Sequence, residues 1–280
     1  MISDNRGMYF KAVLLFLLYC PAGAYSQCYK GNVLSSETNS GIGYASVGII
    51  GSNVGTVCDG DGNFTLNLYE TSDSDTLRFS MIGYDPKSIC IRQIRKSSST
   101  TIFLDPKSYP LNEVKVVYYK PRKMRLGSPV KTNDLRSGFE SNNLGSELGV
   151  KINVRKKVRL KDINLNVAKC TYDSVTYRLN IYQADRMGSG YKNILTRPIY
   201  ISFTKDRIND VLSFDLSDYS IIIEGNILIA LELYKELGEG KLLFNTQYFT
   251  GLTYHRKSSG GSWTQSPGAI GMYLNSNEIR

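Results

Sequence analysis

The sequence predicts an all-β protein built as two β-sandwiches in series, and three observations carry this. Apolar residues beyond position 27 alternate with polar ones at period two, the repeat of a strand with one covered face. The 25 Gly and 20 Tyr, beside only 8 Pro, favour strands joined by tight turns. A chain of 280 residues exceeds the usual reach of one core, so two units of roughly 100 to 150 residues each are expected. Hydrophobic residues at 41% let each unit bury a core and exclude wholesale disorder.

Residues 1–26 read as an export signal. Arg6 and Lys11 give a positive start, Ala12 to Cys20 a short apolar centre, and Pro21 a helix break. Ala24-Tyr25-Ser26 sets small residues at the two positions a signal peptidase accepts, so cleavage is expected after Ser26. The nine apolar residues are too few to span a bilayer core of about 30 Å, which argues against an uncleaved anchor. Tyr19 and Gln27 are large where a lipoprotein signal needs a small residue, which argues against lipidation at Cys20 or Cys28. The most apolar later stretch, Tyr219 to Tyr234, is interrupted by Glu224, Asn226 and Glu232, so no transmembrane segment is expected in the mature chain. Export would leave Cys28, Cys58, Cys90 and Cys170 in an oxidising compartment, either bridged or as buried free thiols.

In the first unit, 27–118, strands are expected at 29–35, 44–50, 56–58, 64–68, 76–82, 87–91, 101–104 and 113–117, punctuated by Gly, Asn and Asp. Residues 119–143 lose the alternation to Lys, Arg, Pro, Gly and Ser and read as a basic linker. The second unit, 144–280, is expected to hold strands at 150–154, 163–168, 175–183, 198–203, 211–216, 227–234, 241–245, 253–257 and 269–274. Val175, Tyr177, Leu179 and Ile181 face one way and Thr176, Arg178, Asn180 and Tyr182 the other. That many strands in so short a unit suit a jelly-roll-like β-sandwich.

Five ordered blocks carry a family resemblance: Gly31-Asn32-Val33, Ala45-Ser46-Val47, Gly55 to Phe64, Leu77 to Tyr84, and Leu111 to Val117. The first unit resembles the carboxypeptidase regulatory-like domain at the N-terminus of TonB-dependent receptors and surface proteins of Bacteroidetes. The resemblance implies a seven-stranded, transthyretin-like sandwich with no enzyme activity of its own. It departs from those receptors after Val117, where a plug and a long barrel would follow; the later strands read as too few and too short for a transmembrane barrel. The second unit is similar to companions of such domains in short secreted proteins, through Gly145 to Gly149 and Ser258 to Trp263.

Chemistry-bearing patterns are sparse. Asp59-Gly60-Asp61-Gly62-Asn63 spaces oxygens as a calcium loop does, but fits a hairpin turn better. His255 is the only histidine, which excludes multi-histidine zinc sites and places it as a strand residue. No nucleophile elbow, phosphate loop or dinucleotide loop occurs, and nothing calls for a metal or cofactor. No enzyme activity is therefore expected. A carboxylate pair for glycoside hydrolysis leaves no trace in a sequence, since any two acids can meet in space, and a glycoside hydrolase is the third reading.

Charge and aromatics point to binding instead. Between Lys115 and Lys161 stand 13 Lys or Arg against Asp134, Glu140 and Glu147, with Arg155, Lys156, Lys157 and Arg159 as a candidate polyanion site. Trp263, the single Trp, sits in a Gly/Ser-rich loop beside the strand carrying Tyr254, and the two are the candidate glycan site. The expected function is a non-catalytic exported envelope protein that binds or scaffolds a polysaccharide or lipopolysaccharide, in the periplasm, at the outer-membrane surface or in the medium. The alternative is an interaction module docking with an outer-membrane protein, a transporter or secretion machine. Nucleic acid is not an expected partner.

Overall fold

A computed structural model describes residues 28–96, 100–108, 121–132, 135–185, 190–208 and 211–279. The expected signal segment, and the strand expected at 113–117, lie outside them.

The first unit packs two sheets face to face. Strands β1 (Cys28–Ser35), β4 (Asn63–Asn67) and β7 (Thr100–Leu104) form one, ordered β4-β1-β7. Strands β2 (Ser46–Ile49), β3 (Gly55–Val57), β5 (Thr76–Ser80) and β6 (Lys87–Cys90) form the other, ordered β3-β2-β5-β6. The seven strands among the described residues match the count the family resemblance implies; the eighth read from alternation, 113–117, is the one outside them. Alternation does the sorting: along β5, Leu77 and Phe79 enter the core while Arg78 and Ser80 face out. A short helix α1 (Ile91–Arg95) follows β6, where only a strand end was expected; Ile91 and Ile94, three apart, both enter the core. The 59–63 segment is a turn. The Asp59 carboxylate accepts the backbone amides of Asp61 at 2.9 Å and Asn63 at 2.8 Å, and Gly62 takes φ +85°.

Among the described residues the second unit is one continuous hydrogen-bonded set of twelve strands folded around a single core. The expected linker is corrected here, because 119–143 contains β8 (Lys123–Ser128) and β9 (Leu135–Phe139). Strand β8 pairs antiparallel with β19 (Met272–Glu278), and β9 with β17 (Leu242–Arg256). In β8 the inward residues are only Met124, Leu126 and Ser128, and Lys123 and Arg125 between them face solvent. So short an alternation, written in basic residues, reads as linker until a partner strand is supplied.

The strands expected at 150–154 and 163–168 are largely one strand, β10 (Glu147–Leu165), 19 residues long. Its first half lies between β16 (Ile222–Glu232) and β17, and its second half between β19 and β15 (Leu212–Asp215). The register with β16 breaks between Val154 and Val158, where Arg155, Lys156 and Lys157 all face solvent. Such a bulge lets one strand bend from one sheet of the sandwich into the other. The remaining strands are β11 (Val167–Cys170), β12 (Ser174–Ala184), β13 (Tyr191–Asn193), β14 (Ile199–Thr204) and β18 (Thr264–Ile270). Tyr177 fills the middle of this core, its ring 4.6 Å from that of Phe139. Cys58, Cys90 and Cys170 are free thiols.

The two units are closely docked. Tyr44 of the first packs edge-on against Tyr234 of the second, at 4.9 Å between ring centroids, with Tyr200 tilted against Tyr234 at 4.7 Å. The loop 258–261 lies on the outer face of β2, where the amide of Gly51 donates to the Gly260 carbonyl (2.9 Å) and Ser258 Oγ to the Ser52 carbonyl (2.9 Å). Gly48 permits this approach, since a Cβ there would come within 2.7 Å of the Gly260 nitrogen.

Candidate functional site: a buried charge row and the cleft at the seam

Strand pairing sets four charged residues in one row across four strands. Arg256 on β17 stands opposite Glu147 on β10, Glu147 opposite Glu232 on β16, and Glu232 opposite Arg178 on β12. All point away from the second core, because their neighbours Leu148, Leu231 and Leu179 point into it. The sequence reading left this outer face to solvent. It is instead covered by the first sandwich, so Glu147, Arg178 and Glu232 are buried.

Each carboxylate is saturated. Glu232 receives Arg178 in a two-pronged pair, Nε to Oε2 at 3.0 Å and Nη2 to Oε1 at 2.8 Å. It also accepts Ser46 Oγ at 2.9 Å and Asn180 Nδ2 at 2.7 Å. Glu147 accepts Arg256 Nε at 3.0 Å, Tyr182 Oη at 2.9 Å and Asn180 Nδ2 at 3.2 Å, so one amide joins the two acids. Arg178 also reaches across the seam, donating to the Tyr44 carbonyl and to Ser46 Oγ, both at 2.6 Å.

The two acids are held differently. Burial pushes the Glu147 carboxyl up and the Glu232 charge adds to this, against the opposing pull of Arg256. Burial acts upward on Glu232 too, but the charge and hydrogen bonds of Arg178, joined by Asn180, outweigh it and hold that carboxyl below its usual range. A buried acid pair with split proton affinities is what general acid and base chemistry uses. Here each acid faces its own guanidinium and has no oxygen left for a substrate, so the arrangement clasps the sandwiches together.

A pH dependence follows from this split. The raised Glu147 carboxyl contributes stability below the ordinary carboxylate range, near pH ~4.3, and loses it as pH rises through the raised value. The lowered Glu232 carboxyl contributes above that range and loses it as pH falls. Urea midpoints measured from acid to neutral pH are therefore expected to decline above the carboxylate range. Glu147→Gln should flatten that decline, and an unchanged slope in the variant would show Glu147 ionised throughout.

Beside the row the seam opens into a cleft of about 370 Å³. Arg78, Met81 and Tyr84 line it from the first sandwich, and Tyr182, Tyr191 and Lys192 from the second. Trp263 backs the wall edge-on to Tyr182 (5.9 Å) and Tyr191 (6.1 Å), with the Arg256 guanidinium 4.6 Å from its ring centre.

The structure brings Trp263 and Tyr254 into one small cluster with Tyr182, Leu228 and Ala230. Tyr254 is buried in it and offers no ring face to a ligand, because it points to the same covered face as Glu147; this corrects its place in the candidate glycan pair. Of the candidate polyanion site, Arg155, Lys156 and Lys157 share the β10 bulge, but Lys156 is held by Glu278 at 2.7 Å and Arg159 is half-buried between β16 and β19. Ser46, Glu147, Arg178, Asn180 and Glu232 were not singled out from sequence as site residues. The available signal was Glu232 itself, the charge that closes the apolar run Ile227 to Leu231.

The family model described as CarboxypepD_reg-like domain matches residues 29–116. The first sandwich is a CarboxypepD_reg-like domain. This domain is of a non-catalytic, regulatory type and adopts a transthyretin-like β fold, and no catalytic family matches the chain. The CarboxypepD_reg-like domain supplies Ser46, Arg78 and Met81 to the seam. No curated protein matches the chain. Among solved structures it is similar to a chain of the infectious bursal disease virus VP2 subviral particle, at 10% identity and a TM-score of 0.22, over 89% of this chain and 64% of that one. So loose a superposition assigns no fold.

Proposed function

We propose that the protein is a non-catalytic, exported binding protein that holds a glycan in the cleft between its two sandwiches. The observation that supports this is the composition of the cleft wall. Tyr84 and Tyr191 bring aromatic rings, Asn193 an amide, and Arg78 and Lys192 charged donors, all around one recess at a unit boundary. Sugar rings present apolar C–H faces edged by hydroxyls, which such a mixture meets with stacking and hydrogen bonds together. A CarboxypepD_reg-like domain as one wall accords with an interaction module rather than an enzyme.

The competing reading, docking to an outer-membrane protein, is favoured by one feature. Tyr248, Phe249 and Leu252 stand exposed where β17 bulges away from β18, with Phe249 at φ +63°. One experiment separates the two. Passed over a panel of immobilised glycans and over envelope extract, the protein is expected to be retained by a glycan, and Tyr191→Ala to release it. Absence of retention on every glycan, with capture of a membrane protein abolished by Phe249→Ser, would establish the competing reading instead.

A further inference from the structure

We propose that the ligand of this cleft is an acidic oligosaccharide, whose carboxylate or ester-borne sulfate or phosphate sits between Arg78 of the first sandwich and Lys192 of the second. This rests on the glycan reading above and adds the charge of the ligand.

The charges facing the cleft are unequal: Arg78, Lys107, Arg178, Lys192 and Arg256 against Glu147 and Glu232. The buried cations are already answered. Arg178 is matched by Glu232 at 2.8 Å and Arg256 by Glu147 through Nε at 3.0 Å, so both charges are spent inside the wall. Arg78 and Lys192 form no ion pair among the described residues, and no carboxylate in the cleft is left over for them. Arg78 is fixed on a paired strand, opposite Gly48 and Ser88, and Lys192 is paired with Gln183. The two cations are thus presented from two rigid walls. Both residues are exposed, and two like charges lining one cleft add their fields toward an anion that enters it.

The shape argues for an extended ligand. A second hollow of about 730 Å³ adjoins the cleft and shares Tyr191, Lys192 and Asn193 with it, adding Gln183 and Asp185. A lone small anion leaves most of that groove empty. A chain of sugars fills it, with the acidic unit at Arg78 and Lys192, and Tyr191 along the ring of its neighbour.

The test is calorimetric titration of the full chain with three probes of equal length: a galacturonate tetramer, its neutral methyl ester, and a sulfated chondroitin tetramer. The galacturonate tetramer is expected to bind at least about tenfold more tightly than the ester, the scale of one charge-assisted hydrogen bond. Arg78→Gln and Lys192→Gln should each cost about tenfold against the acid and nothing against the ester. Preference for the sulfated probe with the same sensitivity supports the proposal and assigns a sulfate ester. Equal binding of acid and ester, unaffected by either variant, overturns the acidic ligand while leaving the glycan reading intact. Binding to none of the three overturns it as well, and the panel experiment then shows whether a neutral glycan survives. Lys157→Gln on the β10 bulge is the control: a loss there equal to that of Arg78→Gln moves the binding to the basic bulge and overturns the cleft assignment.

Discussion

Glu232→Ala is expected to lower stability to urea unfolding by about 3 to 5 kcal/mol, the range for removing one partner of a buried ion pair. Its removal strands the Arg178 guanidinium at 2% exposure, with Ser46 and Asn180 deprived of the same acceptor. An uncompensated charge in that position can neither find water nor lose its proton, since arginine stays protonated at any accessible pH. The double variant Arg178→Met with Glu232→Leu should recover much of the loss, because replacing both partners leaves no orphan charge. A single-variant loss no greater than the ~1 kcal/mol of an exposed pair would show that water reaches the row, and the clasp would be no clasp.

That row also marks how far the sequence speaks. Period-two alternation in 175–182 correctly sent Val175, Tyr177, Leu179 and Ile181 to the core. The same alternation sent Arg178, Asn180 and Tyr182 to solvent, and there it failed, since it records only which residues share a face and nothing about what later covers it. The covering sheet comes from residues more than a hundred positions earlier, through Ser46 and Tyr44. Register was equally hidden: Glu147 and Glu232 are 85 positions apart and become neighbours only through the pairing of β10 with β16. The first sandwich was more legible because its turns are written locally. Asp59 organises its own hairpin within four residues, whereas the basic stretch holding β8 needs a partner 150 residues on before it becomes a strand.

Phe79→Ala is expected to cost a further 3 to 5 kcal/mol, about the value for truncating a fully buried aromatic, and its reach should exceed the core it empties. Phe79 lies at the centre of the first sandwich, 5.6 Å from the Phe64 ring, on the strand that also carries Arg78 and Ser80 to the cleft. For the first sandwich to open alone, the chain must break the Arg178 bonds to Tyr44 and Ser46, the Ser46 bond to Glu232, and the docking of loop 258–261 on β2. Opening alone also leaves Glu232 and Arg178 facing an empty half of the seam. That penalty couples the two cores, so a single unfolding transition is expected for the whole described chain, displaced as a unit in the variant. Amide exchange in β16, which belongs to the second core, should then accelerate in Phe79→Ala along with β5. Exchange in β16 that stays at its wild-type rate while β5 accelerates would mean that the sandwiches open independently, and the cleft between them would lack the fixed walls that presenting Arg78 and Lys192 to one ligand requires.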